Sequence, residues 1–333
     1  MAVANIIVTG GAGYIGSHAC KCLKQAGFVP VTVDNLSRGV ADAVRYGPLE
    51  VGDVRDGAFL ETVFAKYRPD AVIHFAALAY VGESVQRPYL YYDNNVGGTV
   101  SLLEAMRAAD IGRIVFSSTC AVYGAAQTVP ITESHPLAPI NPYGASKRMV
   151  EQVLADGATA HGLRFVALRY FNASGADPDG ELAENHDPET HLIPLALQAA
   201  FGRRPALQVF GTDYDTPDGT CIRDYIHVAD LAEAHVLALK YLLDGGAPLF
   251  ANLGTGSGAS VREVIRTVEA VTGRLVPAED SPRRPGDPAA LVADPGMANT
   301  VLGWRPRFMD LTDHVRHAAV VAEHGPRPRL AVS

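Results

Sequence analysis

Tyr143 and Lys147 stand four residues apart in Asn141-Pro142-Tyr143-Gly144-Ala145-Ser146-Lys147. On a helix that spacing places both side chains on one face. A phenol titrates near pH ~10 on its own, and an ammonium beside it favours phenolate and lowers that value. The pair therefore reads as a base for an alcohol proton, removed as hydride leaves the same carbon. A second group of residues supplies the hydride acceptor's site: Thr9-Gly10-Gly11-Ala12-Gly13-Tyr14-Ile15-Gly16. Glycines at 10, 13 and 16 allow a tight turn, close approach to a diphosphate and helix-on-strand packing, and the helix that follows offers unpaired N–H donors and a partial positive charge. Asp34 follows about 20 residues later, where a carboxylate accepts hydrogen bonds from ribose hydroxyls. The same charge repels a 2′-phosphate, so NAD is expected rather than NADP. A lone Tyr-x-x-x-Lys is usually a helix-surface pair; a dinucleotide fingerprint in the same chain reverses that reading.

These residues need a scaffold, and the sequence supplies one. Asn5-Ile6-Ile7-Val8 is a β-branched run ahead of the glycines, and Ile15, Ala19, Leu23 and Ala26 recur at helical spacing until Gly27. Val29-Pro30-Val31-Thr32-Val33 leads into Asp34. Further strand-like runs are Leu49–Asp53, Ala71–Ala76, Arg113–Ser118 and Arg164–Arg169, with helical patterns carrying Val96, Val100, Leu103 and Met106, and Met149, Val150, Val153 and Leu154. Repeated β-α units predict an α/β fold, a doubly wound parallel sheet of Rossmann type. Ligands bind such sheets beyond the strands' carboxyl ends, where Asp34, Asp53, Phe75-Ala76-Ala77 and Ser117-Ser118-Thr119 cluster. After Asn172 the chain becomes rich in Gly, Pro and Asp. This predicts a dinucleotide-binding domain over 1–175 and a smaller C-terminal substrate lobe over 176–325, with a return to the sheet near 249–253. The tail from Gly325 to Ser333 is expected to be loose.

Composition narrows the partners. Of 333 residues, 48% are hydrophobic and 19% charged, enough to build a core and too few charges for a disordered chain. The net charge of −8, without any basic run, disfavours nucleic acid and anionic membrane as partners. No signal segment or apolar span is evident, so a cytoplasmic protein is expected. Cys20, Cys22, Cys120 and Cys221 have no metal-type spacing and are expected to be reduced; no metal site is predicted.

With Phe75–Val85, Tyr91–Asn95, Arg169-Tyr170-Phe171-Asn172 and Gly219–Val228 added to these motifs, the chain resembles the extended short-chain dehydrogenase/reductase family from its first strand to about Arg316, and within it the nucleotide-sugar 4-epimerases. The resemblance implies interconversion of UDP-glucose and UDP-galactose: NAD oxidises C4 of the hexose, the 4-keto sugar rotates, and it is reduced again on its other face. Tyr143 is then the base, its proton loss favoured by the Lys147 ammonium and the nicotinamide cation together, and Thr119 hydrogen-bonds the sugar O4 and tunes Tyr143. Cofactor contacts implied by position are Tyr14, Ile15, Asp34, Asn35, Asp53, Val54, Phe75, Ala76, Ala77, Asn94, Lys147 and Phe171, besides Gly10, Gly13 and Gly16. Ala79 stands where many relatives place a lysine, which implies looser retention of NAD. Implied contacts to the UDP-sugar are Asn172, His191, Leu192, Gln208, Phe210, Arg223, Arg284 and Asp287, with Leu291 beside the sugar C2 substituent as a gate against N-acetylated sugars. A homodimer built on the helices of Val96–Met106 and Met149–Leu154 is also implied. A 4,6-dehydratase is disfavoured, because Cys120-Ala121 follows Thr119 in place of an Asp-Glu pair. A UDP-xylose/UDP-arabinose 4-epimerase remains open, as does another NAD-dependent nucleotide-sugar enzyme. A catalytically silent NAD-binding regulator usually lacks the Tyr or the Lys, and both are present here.

Overall fold

The computed structural model describes residues 4–284 and 287–326. In chain order the first half runs β1 (Asn5–Thr9), α1 (Tyr14–Gln25), β2 (Val29–Asp34), β3 (Leu49–Val51), α2 (Gly57–Tyr67), β4 (Ala71–His74), α3 (Val81–Gln86), α4 (Pro88–Tyr91), α5 (Gly98–Ala108), β5 (Arg113–Ser117), α6 (Pro142–His161) and β6 (Arg164–Tyr170). The second half runs β7 (Asn172–Ser174), α7 (Leu192–Ala200), β8 (Leu207–Phe210), β9 (Ile222–His227), α8 (Val228–Leu243), β10 (Leu249–Leu253), β11 (Gly258–Ser260), α9 (Val261–Thr272), β12 (Ala278–Ser281), β13 (Ala290–Leu291) and α10 (Leu311–His324). The expected loose tail lies, from residue 327 on, outside the described residues.

Seven strands form one sheet in the order β10-β6-β5-β4-β1-β2-β3, and every pairing is parallel. β1 has β2 on one side and β4 on the other, so the chain winds outward in both directions and leaves a crevice past the carboxyl ends of these strands. Because side chains alternate across a strand, Ile6 and Val8 pack with Leu23 of α1 and Leu231 and Leu239 of α8, while Ile7, Val31 and Val72 face Leu60 of α2, Leu102 of α5 and Val150 of α6. The return at Leu249–Leu253 is present as β10, paired with β6. α8, which the sequence reading did not place, covers the sheet beside α1.

The remaining elements build a second, smaller core. β9 pairs with β7, β11 and β13, β12 pairs with β8, and α7, α9 and α10 bury Ile193, Leu197, Val264, Val268 and Val315. The crossing into this region is pinned to α1. The Tyr14 hydroxyl donates to the Gly175 carbonyl at 2.7 Å, and Lys21 holds Asp177 at 2.8 Å, Asp179 at 2.7 Å and Glu181 at 2.8 Å. Gly175 has a positive φ of 86°, and a Cβ there would meet the His227 ring at 2.7 Å, so the turn admits only glycine.

Candidate active site

The glycine turn after β1 separates into structural and ligand-facing positions. A Cβ on Gly10 would lie 2.6 Å from the Ala76 amide nitrogen, and one on Gly16 only 2.2 Å from the Gly10 oxygen. Folding alone forces glycine at both. A Cβ on Gly13 would meet just the Gly10 oxygen, at 3.3 Å, a tight contact that a shift of a few tenths of an ångström would relieve. Gly13 also begins α1 with no side-chain cap, and the first N–H groups of a helix have no intrahelical acceptor. The cradle thus fits a diphosphate. At the end of β2 the buried Asp34 carboxylate accepts from the Ala12 amide at 3.0 Å and the Leu36 amide at 2.8 Å, which fix its orientation, while burial raises its pKa. Asn35 donates to Asp53 at 2.9 Å, and Arg55 holds Asp53 far below the usual carboxylate range. Val54, beside Asp53, is buried in the core under α5.

Across the crevice, Phe75 and Ala76 donate their backbone amides to the Thr9 carbonyl at 2.9 and 3.1 Å. The sequence reading missed the residue that holds the next part of this turn. Buried Asn95 accepts from the Leu78 amide at 2.8 Å, donates to the Leu78 carbonyl at 3.0 Å and donates to Ser146 of α6 at 3.0 Å. Asn94 donates to it at 3.0 Å. The Asn94-Asn95 doublet was the available signal.

α6 starts where Asn141 caps it, its side chain accepting from the Gly144 amide at 2.8 Å, with Pro142 in the first turn. This places Tyr143 and Lys147 one turn apart, 9% and 3% exposed. Lys147 Nζ donates to the Ser117 carbonyl at 2.7 Å and lies 4.8 Å from the centre of the Phe116 ring. Of the two cations expected to lower the Tyr143 pKa, Lys147 does not do so in the protein alone. Burial pushes the Tyr143 phenol well up, and it pushes Lys147 down to about 7. Only the Thr119 hydroxyl, hydrogen-bonded to Tyr143, works against that rise. Desolvation is the largest cause of both shifts because both groups sit in the core. Phenolate formation therefore needs further positive charge beside Tyr143. Thr119 also accepts from the Ala121 amide at 3.1 Å, so it both caps the turn and faces Tyr143.

The second lobe brings the remaining predicted residues together from distant parts of the chain. Arg223 donates to Asp287 at 3.0 Å and to the Pro288 carbonyl at 2.9 Å. Arg284 stacks over the Phe210 ring at 4.0 Å, so guanidinium covers the face expected for uracil. Gln208, on the same strand as Phe210, accepts from Ser281 at 2.6 Å and donates to Glu279 at 2.8 Å. Asn172 donates to the Asp224 carbonyl at 3.1 Å. Phe171 and Leu291 pack into one apolar cluster with Val122, Tyr123, Ile131 and Ala293. Pro285 and Gly286 lie outside the described residues.

His191 and Leu192 open α7, but the His191 Nδ1 is already paired with Glu184. Glu184, His186, Glu189 and His191 bring their donor atoms within 4.8 Å of one another. The glutamates push His186 up to about 9 and raise His191, and the histidines hold Glu184 at about 2. Glu184 forms ion pairs with His186, at 3.0 Å, and with His191, although the buried His186 Nδ1 has no well-aligned hydrogen bond. His186 also meets Tyr14 and Tyr80 edge-on, each with ring centres 6.0 Å apart, so this loop closes against the start of α1.

Fold and site together define a dinucleotide-dependent enzyme of alcohol–ketone chemistry on a large two-part ligand. The chain belongs to the NAD dependent epimerase/dehydratase family, whose model matches residues 6–254. It is 54% identical over 318 residues to a UDP-glucose 4-epimerase of Rhizobium leguminosarum bv. trifolii, covering 96% of this chain and 97% of that protein. Among solved structures it is similar to a UDP-glucose 4-epimerase from Brucella ovis in complex with NAD, at 55% identity and a TM-score of 0.94, covering 98% and 99% of the two chains. A UDP-glucose 4-epimerase from Bifidobacterium longum in complex with NAD+ and UDP is 41% identical, with a TM-score of 0.91 and coverage of 95% and 97%.

Proposed function

We propose that the chain interconverts UDP-glucose and UDP-galactose with NAD as its bound cofactor. The observation that carries this reading is the meeting of Tyr143, Lys147 and Thr119 at the carboxyl end of β5, across the crevice from the uncapped α1 N-terminus and Asp34. NAD supplies reversible oxidation of C4 when bound. Gly13 and the first α1 amides would hold its diphosphate, Asp34 the adenosine ribose, and Lys147 the second ribose.

Tyr143, desolvated and hydrogen-bonded by Thr119, takes the sugar O4 proton and returns it after the keto sugar has turned. A phenol pushed up by burial reprotonates readily, which suits a base that acts in both directions. Lys147, near 7 and anchored on the Ser117 carbonyl, supplies positive charge to the phenolate. Arg223 and Arg284 are suited to the UDP diphosphate, as planar forks that donate charge-assisted hydrogen bonds. Phe210 then offers its ring to uracil when the Arg284 guanidinium swings to phosphate, and Leu291 lines the sugar pocket.

The division into a dinucleotide domain over 1–175 and a sugar-nucleotide lobe over 176–325 is part of this reading, with α8 and β10 returned to the sheet. So is a homodimer: Val85, Tyr89, Val100 and Met149 are exposed on α3, α4, α5 and α6, an apolar surface that a second copy would cover. No helix among the described residues is long and apolar enough to cross a membrane, and a cytoplasmic location is proposed. Comparing turnover of UDP-galactose and UDP-xylose at equal concentration tests the substrate assignment. Preference for the hexose is expected, and preference for the pentose would replace it with a pentose 4-epimerase.

A further inference from the structure

The face of α6 that bears Tyr143 and Lys147 continues one turn on to Glu151, which is 0% exposed. Its carboxylate is fully engaged. Oε1 accepts from the Ser118 hydroxyl at 2.7 Å and from Arg169 Nε at 2.8 Å, and Oε2 accepts from Arg169 Nη2 at 2.8 Å. Ser118 lies between Ser117, whose carbonyl holds Lys147, and Thr119, which faces Tyr143. Arg169 in turn donates to the Tyr123 hydroxyl at 3.0 Å and the Glu133 carbonyl at 3.4 Å, and Tyr123 donates to Asn252 at the end of β10 at 2.6 Å.

We propose that Glu151 is a positioning residue for the Tyr143–Lys147–Thr119 group: its carboxylate, locked by Arg169, fixes the Ser117–Thr119 strand end against α6 and sets the charge that Lys147 faces. The inference rests on the proposed reaction. A buried ion pair adds little net stability over apolar packing of the same shape. Its value here lies in geometry and charge. The groups facing Lys147 are the Phe116 ring and Ser117 carbonyl from β5, His74 from β4 and Glu151 from its own helix, with Tyr143 one turn back; from β6 the Tyr170 hydroxyl meets Ser117 Oγ at 2.5 Å. His74 is buried between Thr9 and Thr99 and pushed down to about 3, so it is neutral. Burial pushes the Lys147 ammonium down, and the Glu151 carboxylate opposes that shift.

The test uses full-length Glu151→Gln and the double variant Glu151→Gln/Arg169→Met, the second leaving no stranded charge if the first fails to fold. Two readouts are taken on dinucleotide-bound protein: the pH profile of kcat on UDP-galactose, and the ultraviolet titration of tyrosinate, differenced against Tyr143→Phe. Lys147 should lose its proton at lower pH in Glu151→Gln, moving the alkaline limb and the lysine-linked step of the tyrosinate titration by about one unit toward acid, and by a smaller step in the same direction in the double variant, where the Arg169 cation is removed as well, with KM little changed. A drop in kcat or Tm with both curves unmoved would overturn the proposal, as would return of the limb to its wild-type position in the double variant. If the wild type turns over neither nucleotide sugar, the functional reading fails, and the tyrosinate titration still decides the role of Glu151.

Discussion

Gly13 and Gly16 are three residues apart in one motif, yet substituting alanine should affect different properties. At Gly16 the new Cβ would sit 2.2 Å from the Gly10 oxygen and 2.9 Å from both the Gly10 carbonyl carbon and Gly11 Cα, all backbone atoms that cannot rotate away. Helix propensity favours alanine by about 1 kcal/mol, against overpacking costs of about 1–3 kcal/mol or more. Gly16→Ala should therefore destabilise the protein before any ligand is added. At Gly13 the backbone, with φ −83° and ψ 176°, is open to alanine, and the sole close contact is 3.3 Å. Replacing an N-cap glycine by alanine costs up to about 1 kcal/mol, so apo stability should fall less than in Gly16→Ala. NAD affinity should nevertheless fall about 5- to 150-fold, the equivalent of about 1–3 kcal/mol, because the methyl occupies space a diphosphate needs. Urea denaturation of the apo proteins and calorimetric NAD titration separate the two effects. Wild-type NAD affinity in Gly13→Ala would refute the division of the turn into structural and ligand-facing glycines.

Asp34→Ala should weaken the preference for NAD over NADP, since it removes both the acceptor for ribose hydroxyls and the charge that repels a phosphate; affinities of the apo protein for the two cofactors measure this. Leu291→Gly should narrow the preference for UDP-galactose over UDP-N-acetylgalactosamine, which in the wild type is expected at about 5- to 150-fold from forcing extra atoms into the pocket; steady-state rates on both sugars give the ratio. Glu184→Gln should change how stability depends on pH. His186 is raised to about 9, so its contribution is complete below about 6.5 and lost as pH rises through about 9. Glu184 is lowered to about 2, so its contribution is present above about 4.5 and lost as pH falls through about 2. The shifts belong to the whole group: His191 and His186 both lower Glu184, and Glu184 and Glu189 both raise His186. Denaturation of wild type should show highest stability from this loop between pH ~4.5 and ~6.5, and in Glu184→Gln the fall between pH ~6.5 and ~9 should be smaller but not absent, because Glu189 still raises His186.

Local pattern made much of the fold legible: the β-branched runs became the parallel sheet, Gly27 follows the end of its helix with positive φ, and Asp34 and Tyr143 stand where strand end and helix start put them. What depends on burial was not legible. The ionisation of Tyr143 and Lys147 is governed by desolvation, which spacing along a helix does not report. Partnerships across long loops were hidden as well. Arg284 lies 74 positions from the Phe210 ring it covers, and Glu151 reaches Arg169 from another element. Glu151 carried a local signal in its place four residues after Lys147, where a charge on the reactive face has to be paired. α8 reads as an ordinary amphipathic helix, and only the sheet order shows that it returns to the face beside α1.

The central claim is that the Tyr143 hydroxyl moves the O4 proton of a UDP-hexose. Its most direct test compares wild type and Tyr143→Phe, purified and supplied with equal NAD, for conversion of UDP-galactose to UDP-glucose. The ring keeps its shape, so fold and NAD content should be retained while turnover falls at least ~100-fold, the low end for loss of general acid–base catalysis. Turnover at the wild-type rate in Tyr143→Phe would contradict the account.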